Sequence, residues 1–147
     1  MLNLIERKKL IDAAIKARKY AYAPYSDNFA VGAAVLTGDG TITGGCNVEN
    51  GSFGATMCAE RVAIFTAISN GHRDIRAVAV VADSTPLTPP CGMCLQVATE
   101  FGPGIEIIMA DLHGHEETTM LENLLPRSFK FDGQRSEDRQ ARKTTNT

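Results

Sequence analysis

Apolar residues in this chain fall into segments whose spacing changes from helical to extended and back. Leu2, Ile5, Leu10, Ala13, Ala14 and Ala17 recur at roughly helical spacing and predict an amphipathic first helix. Ala23-Pro24-Tyr25-Ser26 breaks that pattern. Phe29 to Thr37 is apolar and suited to a strand, Thr37-Gly38-Asp39-Gly40 has hairpin chemistry, and Thr41 to Cys46 reads as the returning strand. Asn47 to Ala55 is a Gly-, Ser- and Asn-rich loop. Cys58 to Ser69 then predicts a helix stopped by Asn70-Gly71.

The second half alternates buried strands with helices. Ala77 to Ala82 and Ile105 to Ala110 are continuous apolar runs of the kind buried on both faces of a sheet. Between them lie a proline-rich loop, Thr85 to Pro90, and a predicted helix, Gly92 to Phe101, ended by Gly102-Pro103-Gly104. Asp111 to Glu117 is polar and reads as a turn, and Met120 to Leu125 as a short last turn of helix closed by Pro126. Residues 132–147 offer almost nothing to bury and read as a mobile tail or weak oligomer contact after a domain spanning 1–131. Helices alternating with buried strands predict a layered α/β fold with an opening hairpin.

Composition narrows the function classes. A chain of 147 residues with 44% hydrophobic content suits one domain with a real core. The net charge of −2 and pI near 5.9 give no basic surface for a nucleic acid polymer, so a small ligand fits better. No apolar run reaches membrane-spanning length, and the mixed charges of Met1 to Lys19 do not resemble a secretion signal. The expectation is a cytoplasmic protein, where cysteines serve metal binding or catalysis more than disulfides.

Two segments carry that chemistry: Cys58-Ala59-Glu60-Arg61 and Pro90-Cys91-Gly92-Met93-Cys94, each following a loop and opening a predicted helix. Three thiolates fit a tetrahedral zinc site with one position left for a water, whose pKa zinc lowers from about 15.7 to about 7. Helix N-termini also favour thiolate. Three thiolates on Zn2+ leave a net charge of −1, which the neighbouring Arg61 can offset by hydrogen-bonding the sulfurs. Glu60, two residues past Cys58, points in another direction and is placed to move protons without binding the metal. Taken alone, Glu60 is better read as a first-turn residue that complements the helix dipole, and Arg61 also suits a solvated helix position. A Cys, then a non-ligand Glu, then Pro-Cys-x-x-Cys is the signature of zinc deaminases. A closed structural zinc site would need a fourth ligand, and Cys46 is far from the other three in sequence.

These segments resemble the cytidine deaminases, in particular the small homotetrameric form with three cysteine ligands. The likeness runs from about Leu4 to Phe129. It also takes in Ala23-Pro24-Tyr25-Ser26, Phe29 to Ala34, Gly45-Cys46-Asn47-Val48-Glu49-Asn50 and Leu124-Leu125-Pro126. The resemblance implies a three-layer α/β/α fold with a mixed five-stranded sheet. It implies hydrolytic deamination of cytidine or deoxycytidine by one Zn2+ per chain, in a homotetramer with shared sites. Matched by position, Cys58, Cys91 and Cys94 bind zinc, and Glu60 shuttles protons. Asn47 and Glu49 hold the sugar hydroxyls, Phe29 packs on the base, and Phe129 reaches a neighbouring subunit's site. Asn47 also suits a turn, and both phenylalanines suit a core. Cys46 reads as a buried structural thiol, and His72, His113 and His115 as outside the catalytic metal site. Two positions depart from the family: Leu95 where Arg is common, and Phe53 where Tyr is common. They motivate an alternative substrate, a modified cytosine nucleoside or a blasticidin-like antibiotic.

Overall fold

The computed structural model describes residues 1–131; the stretch 132–147, read as a tail, lies outside the described residues. The first helix, α1 (Leu4–Arg18), opens with a reciprocal cap. The Glu6 amide donates to Asn3 Oδ1 at 2.9 Å and the Asn3 amide to Glu6 Oε2 at 3.1 Å, an arrangement that satisfies two otherwise orphaned donors. Leu10 and Ala14 of its apolar stripe are fully buried, whereas Ile5 is exposed.

The strands β1 (Val31–Thr37), β2 (Ile42–Cys46), β3 (Ile75–Ala82), β4 (Glu106–Ala110) and β5 (Glu116–Met120) form one sheet in the order β2-β1-β3-β4-β5. β1 runs antiparallel to both β2 and β3, β3 is parallel to β4, and β5 is antiparallel to β4. The sheet is therefore mixed and five-stranded, as the resemblance implies. Because side chains alternate across a strand, β1 and β3 feed two cores. Ala34, Leu36, Ala79 and Val81 face α1; Ala33, Val35, Val78 and Val80 face the opposite side, with α2 (Ala59–Ser69) and α3 (Gly92–Thr99). This burial on both faces explains why the strand sequences are continuous apolar runs. A short α4 (Leu121–Leu124) follows β5.

Two glycines set the layer spacing. A Cβ on Gly32 would lie 2.0 Å from the Ala14 carbonyl oxygen of α1. One on Gly45 would lie 2.4 Å from the Ala63 nitrogen and 2.7 Å from the Ala59 oxygen of α2. The backbone of α2 thus rests directly on β2, which fixes the height of its first turn.

One element departs from the sequence expectation. The polar stretch read as a turn at Asp111–Glu117 and the start of the short helix at Met120 contain β5. Its sequence, Glu-Glu-Thr-Thr-Met, has no apolar alternation because the strand sits at the sheet edge with its first residues exposed. Hydrogen bonding to β4, not periodicity, makes it a strand. The helix that follows is correspondingly shorter, beginning at Leu121.

Candidate active site

Parallel β3 and β4 require a crossover, and α3 supplies it. The chain leaves the carboxyl end of β3, crosses a loop and enters α3 at Cys91, the N-cap. Cys58 is the N-cap of α2, on the same side of the sheet. Neither N-cap side chain makes a capping hydrogen bond, so both sulfurs are free to face each other. Cys94 lies in the first turn of α3 and is buried. Met57, just before Cys58, is pinned by paired backbone hydrogen bonds to Val48, and Asn47 and Glu49 pair in turn with Tyr22.

The Cys58 and Cys91 sulfurs are 3.7 Å apart and those of Cys91 and Cys94 3.5 Å; all three lie within 4.8 Å of one another. With zinc–sulfur bonds of about 2.3 Å, tetrahedral geometry separates ligand sulfurs by about 3.8 Å. The triad therefore fits a zinc ion with little rearrangement. Among the described residues, no other group of three potential ligands converges in this way.

The sulfurs share their protons unevenly. Cys58 is drawn down to about 5, chiefly by the hydrogen bond from Cys94, against the effect of burial and with help from Arg61 and Cys91. Cys94 is pushed well up because it is the partner that keeps the proton, and because it is buried near Glu60. The Arg61 guanidinium donates to Cys58 Sγ at 3.4 Å. Burial opposes its charge, but its bonds to Cys58 and Cys94 outweigh that and raise its pKa. Glu60 is only 4% exposed. Burial pushes its carboxyl up to about 7; its own backbone amide opposes the shift and the Cys58 charge adds to it. The carboxylate is not one of the converging donor atoms.

Asn47 and Glu49 are buried on either side of Val48, the residue bridged to Met57, and already hold the chain there. Asn47 Oδ1 accepts from the Val31 amide at 2.9 Å, and its Nδ2 donates to the Phe29 carbonyl at 2.8 Å. Glu49 accepts from the Tyr25 amide at 2.7 Å and from the Ser26 hydroxyl. Phe29 is 42% exposed and follows two residues in the left-handed region, Asp27 and Asn28, at φ 52° and 58°. Asp and Asn tolerate that conformation better than most. Phe129 is 70% exposed, with its ring outside the core.

Residues 5–110 match the family model described as the cytidine and deoxycytidylate deaminase zinc-binding region. The chain belongs to this deaminase family. A cytidine deaminase of Halalkalibacterium halodurans is 47% identical over 85% of this chain and 95% of its own length. The crystal structure of a cytidine deaminase from Burkholderia pseudomallei superposes with a TM-score of 0.79 at 46% identity, covering 83% of this chain and 98% of that one. A blasticidin-S deaminase of Bacillus cereus is 31% identical over 71% of this chain and 81% of its own.

Set within the deaminase family, the two departures acquire a structural context. Leu95 is 7% exposed and turns from α3 into the core, and among the described residues Arg61 is the cation that touches the thiols. Phe53 is 75% exposed and meets Tyr25 edge to face at 5.9 Å. Cys46 is half-buried in β2, and burial raises its thiol pKa. His72 pairs with Asp39, His113 with Asp83 and His115 with Asp111, and none of the three belongs to the converging ligand group.

Sequence reasoning gave no role to Ser26, whose hydroxyl holds Glu49, or to Gln96, whose amide holds the backbone of Phe129. These partners are 23 and 33 residues apart, and no local motif announces them.

Proposed function

We propose that this chain is a zinc-dependent hydrolase that converts cytidine or deoxycytidine and water into uridine or deoxyuridine and ammonia. The observation that carries the reading is the preformed triad of sulfurs at zinc-ligand separations, with a buried carboxylate beside it. High identity to cytidine deaminases supports it.

Cys58, Cys91 and Cys94 hold one Zn2+. When bound there, zinc supplies Lewis acidity that brings the pKa of water from about 15.7 to about 7. Arg61 offsets the negative charge left by three thiolates on a divalent ion. Glu60 is shielded from solvent and poised to bind or release a proton near neutral pH. Its carboxylate takes protons from the attacking water; one goes to the ring nitrogen beside the reacting carbon and one to the departing amine. The water oxygen becomes the new carbonyl, and the ammonia carries off the second proton.

Asn47 and Glu49 bind the sugar hydroxyls. Each atom of the Asn47 amide spends one hydrogen bond on the backbone, which leaves one N–H and one lone pair for a ligand. Phe29 lies against the base, and Phe129 enters the site of a neighbouring subunit. The enzyme is a cytosolic homotetramer with shared sites and serves pyrimidine salvage. The exposed apolar side chains of Tyr22, Tyr25, Phe53 and Met93 support burial against other copies. Its acidic balance favours a free nucleoside over a polynucleotide.

A second reading, deamination of a modified cytosine nucleoside or a blasticidin-like antibiotic, draws on the exchange at Phe53 and on the Bacillus cereus relative. A substrate panel separates the two: cytidine turned over as well as or better than the other compounds eliminates the second reading. The primary test combines metal analysis with cytidine absorbance on purified protein. The expected result is about one zinc per chain and steady loss of the cytidine spectrum. Zinc-loaded protein that leaves cytidine and deoxycytidine intact would overturn the reading.

A further inference from the structure

We propose that Ser26 is a positioning residue that fixes the plane of the Glu49 carboxylate and thereby sets affinity for the sugar of the nucleoside. The inference deepens the proposed deaminase activity and rests on the reading of Glu49 as a sugar contact.

The backbone of Glu49 is anchored independently of its side chain. Its amide donates to the Tyr22 carbonyl at 2.8 Å, and the Tyr22 amide donates to the Asn47 carbonyl at 3.0 Å. The carboxylate at the far end is a separate matter. The last torsion of a glutamate is broad rather than confined to narrow staggered wells, so the carboxylate plane needs partners to fix it. Two donors from the turn after α1 supply them. The Tyr25 amide donates to Oε2 at 2.7 Å, and the Ser26 hydroxyl donates to Oε1. One donor on each oxygen defines the plane, whereas the Tyr25 amide alone would let the other oxygen turn. An ionised carboxylate accepts at about four lone-pair positions, so one on each oxygen is left for hydroxyls of a ligand.

Ser26 closes Ala23-Pro24-Tyr25-Ser26, the segment that breaks the first helical pattern. Its carbonyl accepts from the Phe29 amide at 3.0 Å, and the Phe29 carbonyl accepts from Asn47 Nδ2 at 2.8 Å. One residue therefore ties the carboxylate through its side chain and the Phe29 segment through its backbone. The backbone bond survives a change of side chain, so Ser26→Ala isolates the hydroxyl. Ser26 is exposed, and losing its oxygen opens no cavity in the core. Ser26→Thr keeps the hydroxyl and with it the donor.

The test uses zinc-loaded full-length protein. Ser26→Ala should raise KM for cytidine about tenfold, the size of one lost hydrogen bond to a charged acceptor, and leave kcat within about twofold. Ser26→Thr should keep KM within about twofold of the native value. The penalty should vanish once the hydroxyl that Glu49 binds is taken from the substrate. Among 2′-deoxycytidine, 3′-deoxycytidine and 5′-deoxycytidine, at least one should therefore show the same KM with Ser26→Ala as with the native chain. Adding Ser26→Ala to Glu49→Ala should do no further harm, because no carboxylate is left to orient. A native KM for cytidine in Ser26→Ala, or an equal penalty on cytidine and all three analogues, overturns the proposal. A lower urea midpoint or a fall in kcat at unchanged KM would make Ser26 a support of the turn and also overturn it. A native KM for cytidine in Glu49→Ala removes Glu49 from the sugar site, and the inference fails for that separate reason.

Discussion

Glu60 is nearly sealed from solvent, yet it lies beside a thiol drawn toward its charged form. A carboxylate in that position has no salt-bridge reason to be there, and burial raises its pKa to about 7, where proton uptake and release are both cheap. Glu60→Gln preserves size and polarity and removes the titratable group. It should retain zinc and the folded state while cutting turnover about 100- to 10,000-fold, as checked by metal analysis and cytidine absorbance on one preparation. Native turnover in that variant would remove Glu60 from the proton path. The residues of this site were legible in the sequence to the extent that their chemistry is local. Cys58-Ala59-Glu60-Arg61 and Pro90-Cys91-Gly92-Met93-Cys94 each confine ligand and helper to one helix start. Ser26 and Gln96 escaped notice because a hydroxyl or an amide gains its role only from a backbone or carboxylate that folding brings from far along the chain.

At the scale of elements, strands buried on both faces were legible as apolar runs, and both thiol-bearing helices were legible from their breakers and apolar spacing. The edge strand β5 was not, because an exposed edge needs no apolar alternation. What joins β4 to β5 is polar. The Asp111 carboxylate accepts from the backbone amides of His113 and His115 at 2.8 and 2.9 Å, and its second oxygen lies 2.6 Å from His115 Nδ1. Burial alone would raise its pKa, but these partners outweigh burial and hold it at about 2, below the ordinary 3.8. A group depressed in the folded state stabilises the fold above its unfolded pKa and loses that contribution as pH falls through the folded value. Asp111→Asn should therefore unfold at lower urea concentration than the native chain at pH 7. The gap should persist down to about pH 4 and close between about pH 4 and pH 2. An unchanged gap across that window would show that the charge of Asp111 does not support the hairpin.

For the molecule as a whole, the placement of the aromatics decides how the site is completed. The metal triad and Glu60 come from α2 and α3 of one chain, whereas Phe129 projects its ring outward from the segment beyond α4. An outward ring suits a cavity in another copy, and in the proposed homotetramer closed symmetry would make the exchange mutual, each subunit lending its Phe129 and receiving one. Mixing two defective variants tests this arrangement. Glu60→Gln lacks the proton carrier and Phe129→Ala lacks the ring, so each alone should be impaired in the cytidine assay. In a one-to-one mixed oligomer, a site regains both parts when a Phe129→Ala subunit supplies Glu60 and a Glu60→Gln neighbour supplies Phe129. Random assembly gives that pairing in about one quarter of sites, so activity should return to roughly a quarter of the native value after dissociation and reassembly of the mixture. If each Phe129 serves its own chain's site, no pairing restores a complete set and the mixture stays at the average of its parents. The recovered fraction thus reads out directly whether the fold of one chain contains the whole active site.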